Sequence, residues 1–192
     1  IFATEADSSS CTVAQCTIVG NTARWGGGVF RESGRLVVSN SLLAGNHATD
    51  AGSQVASVIS PAEYVSSAVE GGRSGTYVAF ASGDPPPNHE VLDLDPAFID
   101  PNGPDNQPAT WRDNNYQLRP RSQCVDRGSF NVGDPSGLDL LGHPRWVVGQ
   151  QGRSRLPDLG CYESQLTLCP SDMNADGGVT VVDCVDTDDA SW

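Results

Sequence analysis

The sequence predicts an all-β protein of stacked coils, a parallel β-helix, on three observations. A segment repeats itself 25 residues later, the apolar residues fall in short alternating runs, and Gly (21) and Pro (13) are plentiful. Val13-Ala14-Gln15-Cys16-Thr17-Ile18-Val19-Gly20-Asn21 aligns with Val38-Ser39-Asn40-Ser41-Leu42-Leu43-Ala44-Gly45-Asn46. Val13 matches Val38, Ile18 matches Leu43, and each stretch ends in Gly-Asn. That offset is about the chain needed for one coil of short strands joined by tight turns. The hydrophobic fraction is 38% and the aromatic fraction 7%, thin for a two-layer core. Disorder is the alternative, but runs such as Leu36-Val37-Val38 can bury one face, so the chain reads as folded.

Taken in order, alternation puts Cys16 and Ile18 on one face of a strand, and Ser41 and Leu43 on the same face of the next. Stacking brings equivalent positions together into an interior ladder. Gly-Asn at the corner supplies left-handed backbone. Trp25-Gly26-Gly27-Gly28-Val29-Phe30 reads as a second corner leading into a strand. Residues 47–92 are harder to place: Val55 to Val69 fits a further coil, and Gly83-Asp84-Pro85-Pro86-Pro87 reads as a loop. Residues 93–163 are rich in Pro, Asp and Gly, with short runs Ala97-Phe98-Ile99 and Trp146-Val147-Val148. They read as final coils plus a lid that covers otherwise bare strand edges. Helix is expected to be scarce before residue 178.

Cys-Thr-Ile-Val-Gly-Asn at 16–21, followed by Gly-Gly-Gly-Val at 26–29, resembles the coils of bacterial pectin-lyase-like β-helix proteins. It is also similar to the repeat of polymorphic outer-membrane proteins. The resemblance continues in order through Asp95-Pro96-Ala97-Phe98-Ile99-Asp100-Pro101, Asn115-Tyr116-Gln117-Leu118-Arg119-Pro120 and Ser122-Gln123-Cys124-Val125-Asp126-Arg127-Gly128. Asp139-Leu140-Leu141-Gly142-His143-Pro144-Arg145 and Asp158-Leu159-Gly160-Cys161-Tyr162-Glu163 follow. The chain departs from the family's usual forms at Gln123, Arg127, Leu141 and His143. The resemblance covers residues 11–163 and implies a right-handed parallel β-helix with a terminal cap. The domain division expected is 1–165 for the coils and cap, and 166–192 for a small calcium loop–helix module.

That module rests on residues 172–183. Asp172, Asn174, Asp176 and Asp183 stand at positions 1, 3, 5 and 12 of an EF-hand-type loop, with Gly177 at the sharp turn and Val179 at the apolar position 8. Gly178 would supply a backbone carbonyl and Thr180 a ligand through water. Alternate oxygen-bearing side chains converge on one cation because the loop curls around it, so the expected cofactor is calcium. Asp rather than Glu at Asp183 resembles dockerin loops, as does the absence of an incoming helix before Cys169-Pro170-Ser171. Dockerins that bind cohesins generally carry two such loops, and this chain has one. The segment behind it, Val181 to Trp192, is rich in β-branched and Asp residues and makes a marginal helix without metal. Cohesin binding therefore stands behind a small calcium-stabilised attachment module.

The net charge of −13 disfavours nucleic acid and anionic membrane surfaces as partners. No apolar stretch approaches the ~20 residues that span a bilayer. The chain begins at Ile1 inside a repeat-like region and its one Met is Met173, so it reads as a piece of a longer exported protein. Six cysteines with no zinc-type spacing point to an oxidising, extracellular compartment. Spacing leaves their pairing open among fifteen arrangements; Cys124–Cys161 and Cys169–Cys184 are the first guesses, with buried free thiols as the alternative, above all for Cys16.

Catalytic signals are weaker. Asp93 and Asp95 alternate and could work as paired acids, but Asp95-Pro96 reads more readily as a corner. All eleven basic residues are Arg, which leaves a lyase mechanism without a Lys base. His47, His89 and His143 stand alone, and Trp25 and Trp111 serve a corner at least as readily as a sugar. Asp126, Asp139, Asp158 and Glu163 fall in the cap motifs as turn-fixing carboxylates, with a second calcium site as the alternative. The leading expectation is a non-catalytic terminal part of a secreted or surface protein, polysaccharide-associated or attached to a surface or cohesin-like partner. The competing one is a fragment of a polysaccharide lyase or glycoside hydrolase whose groove lies in upstream coils.

Overall fold

The structure, a computed structural model, describes residues 1–3, 10–79, 91–108, 110–119, 122–130, 137–145 and 156–164. Among these the backbone is β-strand and turn, and the one helical element is a 3-10 turn at Gly72–Gly75. The expected all-β character and scarcity of helix hold for the described residues.

The strands in chain order are β1 (Phe2–Ala3), β2 (Ser10–Ala14), β3 (Thr17–Val19), β4 (Thr22–Trp25), β5 (Val29–Arg31), β6 (Arg35–Ser39), β7 (Leu42–Ala44) and β8 (His47–Ala51). There follow β9 (Val55–Ser57), β10 (Glu63–Val65), β11 (Ser67–Val69), β12 (Thr76–Val78), β13 (Val91–Leu92), β14 (Phe98–Asp100) and β15 (Asn115–Leu118). They form three parallel sheets in the orders β1-β5-β9-β12, β2-β6-β10 and β3-β7-β11-β13, with β4 paired to β8. The chain visits these sheets in the same sequence on successive circuits, so each strand pairs in parallel with its counterpart one circuit on.

The register is the one the internal repeat predicts. Val13 faces Val38 and Ile18 faces Leu43. The following circuit continues it, with Tyr64 against Val38 and Val69 against Leu43. Residues 55–69 do supply a further circuit, although the sequence left its limits open.

The corners explain why the register holds. Gly20 and Gly45 adopt φ of 68° and 61°, the left-handed region that a side chain disfavours. Each corner amide is then capped by a side chain from the next circuit. Asn21 N–H donates to Asn46 Oδ1 at 3.0 Å, Gly45 N–H to Glu70 Oε2, and Gly71 N–H to Asp93 Oδ1 at 2.9 Å. A second ladder of left-handed residues runs through Gln15, Asn40 and Ser66, with φ of 51°, 46° and 44°. Their neighbours Ser41 and Ser67 are buried and spend their hydroxyls on the backbone of the same turn: Ser41 Oγ donates to Ser39 O at 2.8 Å and Ser67 Oγ to Val65 O at 3.1 Å. The Gly26–Gly28 run is a place of close approach. A Cβ on Gly27 would stand 2.5 Å from Ser53 O and 2.6 Å from His47 O, a clash with backbone on both sides.

Two cores result. The first draws on all three sheets: Val13, Ile18, Val29, Leu36, Val38, Leu43, Val55, Tyr64 and Val69 pack together. The second lies on the other side of one sheet, where Leu42 and Ala68 pack with Leu118, Cys124, Val125 and Leu159. Leu42 and Leu43 are adjacent in β7 and each 1% exposed, so their side chains enter opposite cores. Sequence alternation assigns Leu43 to the interior and leaves Leu42 facing outward; the structure covers that outward face with residues 94–159.

The covering segment is irregular and includes one antiparallel pair, β14 with β15, in which Phe98 meets Leu118 and Asp100 meets Asn115. Phe98 and Tyr116 pack edge to face at 5.4 Å. It is clasped to the β-sheets through Asn40, whose Nδ2 donates to Ser129 O at 2.9 Å and whose Oδ1 accepts from Ser129 N at 2.8 Å. Gly160 N–H donates to Asn40 O at 2.8 Å.

Candidate functional site

The expected calcium ligands Asp172, Asn174, Asp176, Gly178, Thr180 and Asp183 lie outside the described residues. So do the rest of the 166–192 module, the Cys169–Cys184 pair, His89 and the Trp146-Val147-Val148 run. The described chemistry-bearing groups concentrate in the segment that covers the outer core.

There, three carboxyl groups accept backbone amides. Asp158, fully buried, accepts from Asp126 N at 2.8 Å and from Ser164 N at 2.7 Å. Its own N–H donates to Glu163 Oε2 at 2.9 Å, and Glu163 N–H donates to Asp139 Oδ2 at 3.0 Å. Asp139 Oδ1 accepts from Leu141 N and His143 N, both at 2.8 Å. The chain thus sews residues 126, 139–143 and 158–164 together with carboxyl-to-amide bonds, those to Asp139 and Asp158 charge-assisted and stronger than a neutral pair. Arg145 is 2% exposed, donates from Nε to Leu138 O at 3.2 Å, and brings its guanidinium to 3.9 Å from Glu163.

Electrostatics sorts these acids into two kinds. Burial pushes Asp139 up, but the three amides that it accepts outweigh this and hold it below its ordinary value. Burial pushes both Asp158 and Glu163 well up; the Asp158 carboxylate raises Glu163 further, and that of Asp126 adds to the rise at Asp158. Both Asp158 oxygens already accept N–H groups, so the proton of the pair belongs on Glu163. A protonated Glu163 beside an ionised Asp158 avoids two adjacent buried negative charges. Among the described residues no group of three or more His, Cys, Asp or Glu side chains is placed to hold a metal ion. The carboxylate oxygens named above accept backbone N–H groups, as expected of turn-fixing acids.

The paired acids Asp93 and Asp95 also have structural partners. Asp93 caps the Gly71 corner, and Asp95 Oδ1 accepts from Ala97 N at 2.8 Å across a left-handed turn (φ 47°). His143 Nδ1 stands 3.6 Å from Asp139, and His47 lies in β8. Trp25 packs on Tyr77 with centroids 5.6 Å apart, while Trp111 is exposed with Arg112 over its ring at 5.5 Å. Arg35 forms a bidentate pair with Glu63 on the surface. None of these constellations assembles a nucleophile, a base and a charge-stabilising group within reach of one substrate atom.

The Cys124–Cys161 bond is not formed in the structure. Both residues are free thiols, as are Cys11 and Cys16. Cys124 is fully buried in the outer core, and burial pushes its thiol up to about 12, which makes it inert. Its sulfur faces Asp95 O, whereas Cys161 sits against Thr17. Sequence reasoning missed that last juxtaposition, and also the clasp at Asn40. The signal available was the position of Gln15 and Asn40 at equivalent corners of successive repeats, each just before the Cys16/Ser41 position.

No protein-family model matches the chain, and it has no significant match among curated proteins or solved structures. No helix of the described residues is long and apolar enough to cross a membrane.

Proposed function

We propose that the chain is the non-catalytic terminal part of a secreted or cell-surface right-handed parallel β-helix protein, ending in a calcium-dependent attachment or stabilising module. The observation that carries this reading is the pairing of successive circuits in parallel register, with the outer face of the β3-β7-β11-β13 sheet buried under residues 94–159. A stack covered in this way is suited to ending an elongated protein. The carboxylates that could have served as glycosidase or lyase acids accept backbone N–H groups instead. That supports the structural reading over an active groove within these residues.

Calcium enters through Asp172, Asn174, Asp176, Gly178, Thr180 and Asp183, a ligand order whose oxygen donors suit a hard divalent cation. The partner class is polysaccharide or a cohesin-like surface protein, reached through the ion-bound form. Affinity electrophoresis in gels containing uronate polymers or plant glycans, with calcium and with chelator, tests this. Retardation that requires calcium, without any change in polymer length, is the expected result. Shortening of any polymer by the purified chain would overturn the non-catalytic reading.

A further inference from the structure

Cys16 and Cys161 are brought to one place from opposite ends of the described chain. Cys161 N–H donates to Thr17 Oγ1 at 3.1 Å, a contact between residues 144 apart in sequence. The preceding Gly160 fits against the same hydroxyl so closely that a Cβ there would lie 2.5 Å from it. The backbone of Cys161 is thereby held on the residue that follows Cys16. Cys16 is fixed in its turn, with its N–H on Ser41 Oγ at 3.1 Å and its thiol on Ala14 O at 3.1 Å. Burial, and after it the Cys161 thiol, push the Cys16 thiol above its ordinary value, which marks the two sulfurs as electrostatic neighbours. Both residues are half-buried, so an oxidant of small size reaches them, unlike Cys124. A disulfide needs Cα atoms about 4.4–6.8 Å apart, a separation compatible with residues neighbouring a single N–H···O contact.

We propose that Cys16 and Cys161 are a disulfide-forming pair that locks the covering segment onto the β3-β7-β11-β13 sheet when the protein meets an oxidising compartment. The oxidant is a low-molecular-weight or protein disulfide. One of the two thiolates attacks a sulfur of that disulfide and forms a mixed disulfide, releasing the first thiol. The second protein thiolate then attacks the mixed disulfide and releases the second thiol. Two protein thiols lose two electrons and two protons, and one oxidant disulfide becomes two thiols. The bond closes a loop that contains the outer core and every buried residue of the inner one except Val13, so its effect on the unfolded chain is large. This inference concerns the chain's own cysteines and stands whether or not the calcium-dependent attachment reading holds.

The test is to equilibrate the full chain with glutathione disulfide at pH 8, block free thiols by alkylation, digest without reduction, and map linked peptides by mass spectrometry. The expected product is a peptide containing Cys16 joined to one containing Cys161, in monomeric protein, with Cys124 alkylated only after denaturation. Oxidation should raise the melting temperature by about 5–15 °C, and Cys16→Ser or Cys161→Ser should each abolish that rise. Alkylated Cys16 and Cys161 in the oxidised sample, or either one joined to Cys11, Cys169 or Cys184 instead, overturns the proposal.

Discussion

Leu42 and Leu43 provide the most demanding perturbation, because neighbouring residues of one strand serve two cores. Leu43 meets Ile18 and Val69 in the inner ladder, while Leu42 lies under Leu118, Val125 and Leu159. Each is 1% exposed, so truncation to alanine removes about three buried carbons, worth about 0.8 kcal/mol each. That transfer loss of about 2.4 kcal/mol rises towards about 5 kcal/mol where the cavity fails to collapse. Leu43→Ala leaves a void bounded by strands of all three sheets and should sit at the upper end. Leu42→Ala opens a void beneath an irregular segment that can settle, and should cost about 2–3 kcal/mol. Urea denaturation followed by circular dichroism measures both losses, and hydrogen exchange locates them. Leu42→Ala should accelerate exchange in residues 122–130 and 156–164 before the strands, whereas Leu43→Ala should destabilise the strands themselves. A Leu42→Ala loss within about 0.5 kcal/mol, the range of surface substitutions, would refute the outer core.

Three further outcomes follow from the corners and the cap. Asn40→Ala removes the two hydrogen bonds to Ser129 and places a β-carbon residue without a compensating amide at φ 46°; a loss of about 2–4 kcal/mol in urea midpoint measurements is expected, with Asn40→Gly recovering only the backbone part. Gly27→Ala drives a Cβ into Ser53 O and His47 O and should cost about 1–3 kcal/mol or more, read as a fall in melting temperature. Glu163 has its folded-state proton affinity raised by burial and by Asp158, so its contribution is complete below the ordinary carboxyl range near about 4.3 and is lost as pH climbs towards the raised value. Glu163→Gln fixes the neutral form, so its urea midpoint should fall less between pH 5 and 8 than that of the unaltered chain; an unchanged slope would contradict the assignment of the proton.

Much of the stacking was legible because in such a chain the repeat and the hydrogen-bond register are the same fact. Val13 aligns with Val38 in sequence and pairs with it in space, and Gly20 and Gly45 take the left-handed corner that their position demands. The next circuit was harder to see, since Gly71-Gly72 replaces Gly-Asn and the span from Val55 to its partner Thr76 is shorter than the repeat. The outer core, the Asn40 clasp and the meeting of Cys16 with Cys161 were not legible. Their partners lie well beyond one repeat, 89 residues away for Asn40 and 144 for Thr17, and a repeat pattern speaks only of the neighbouring circuit. The cap acids were recognised as turn-fixing groups, but alternation and spacing could not tell an amide ladder from a cation site. The backbone N–H groups on Asp158 and Glu163 show the turn-fixing part of that reading.

The calcium loop carries the functional conclusion and is best tested by isothermal titration calorimetry of the full chain with Ca²⁺. One site per chain, lost on Asp172→Ala and accompanied by a gain of helical circular dichroism, is the predicted result. Absence of binding at millimolar calcium, or binding undiminished by Asp172→Ala, would contradict it.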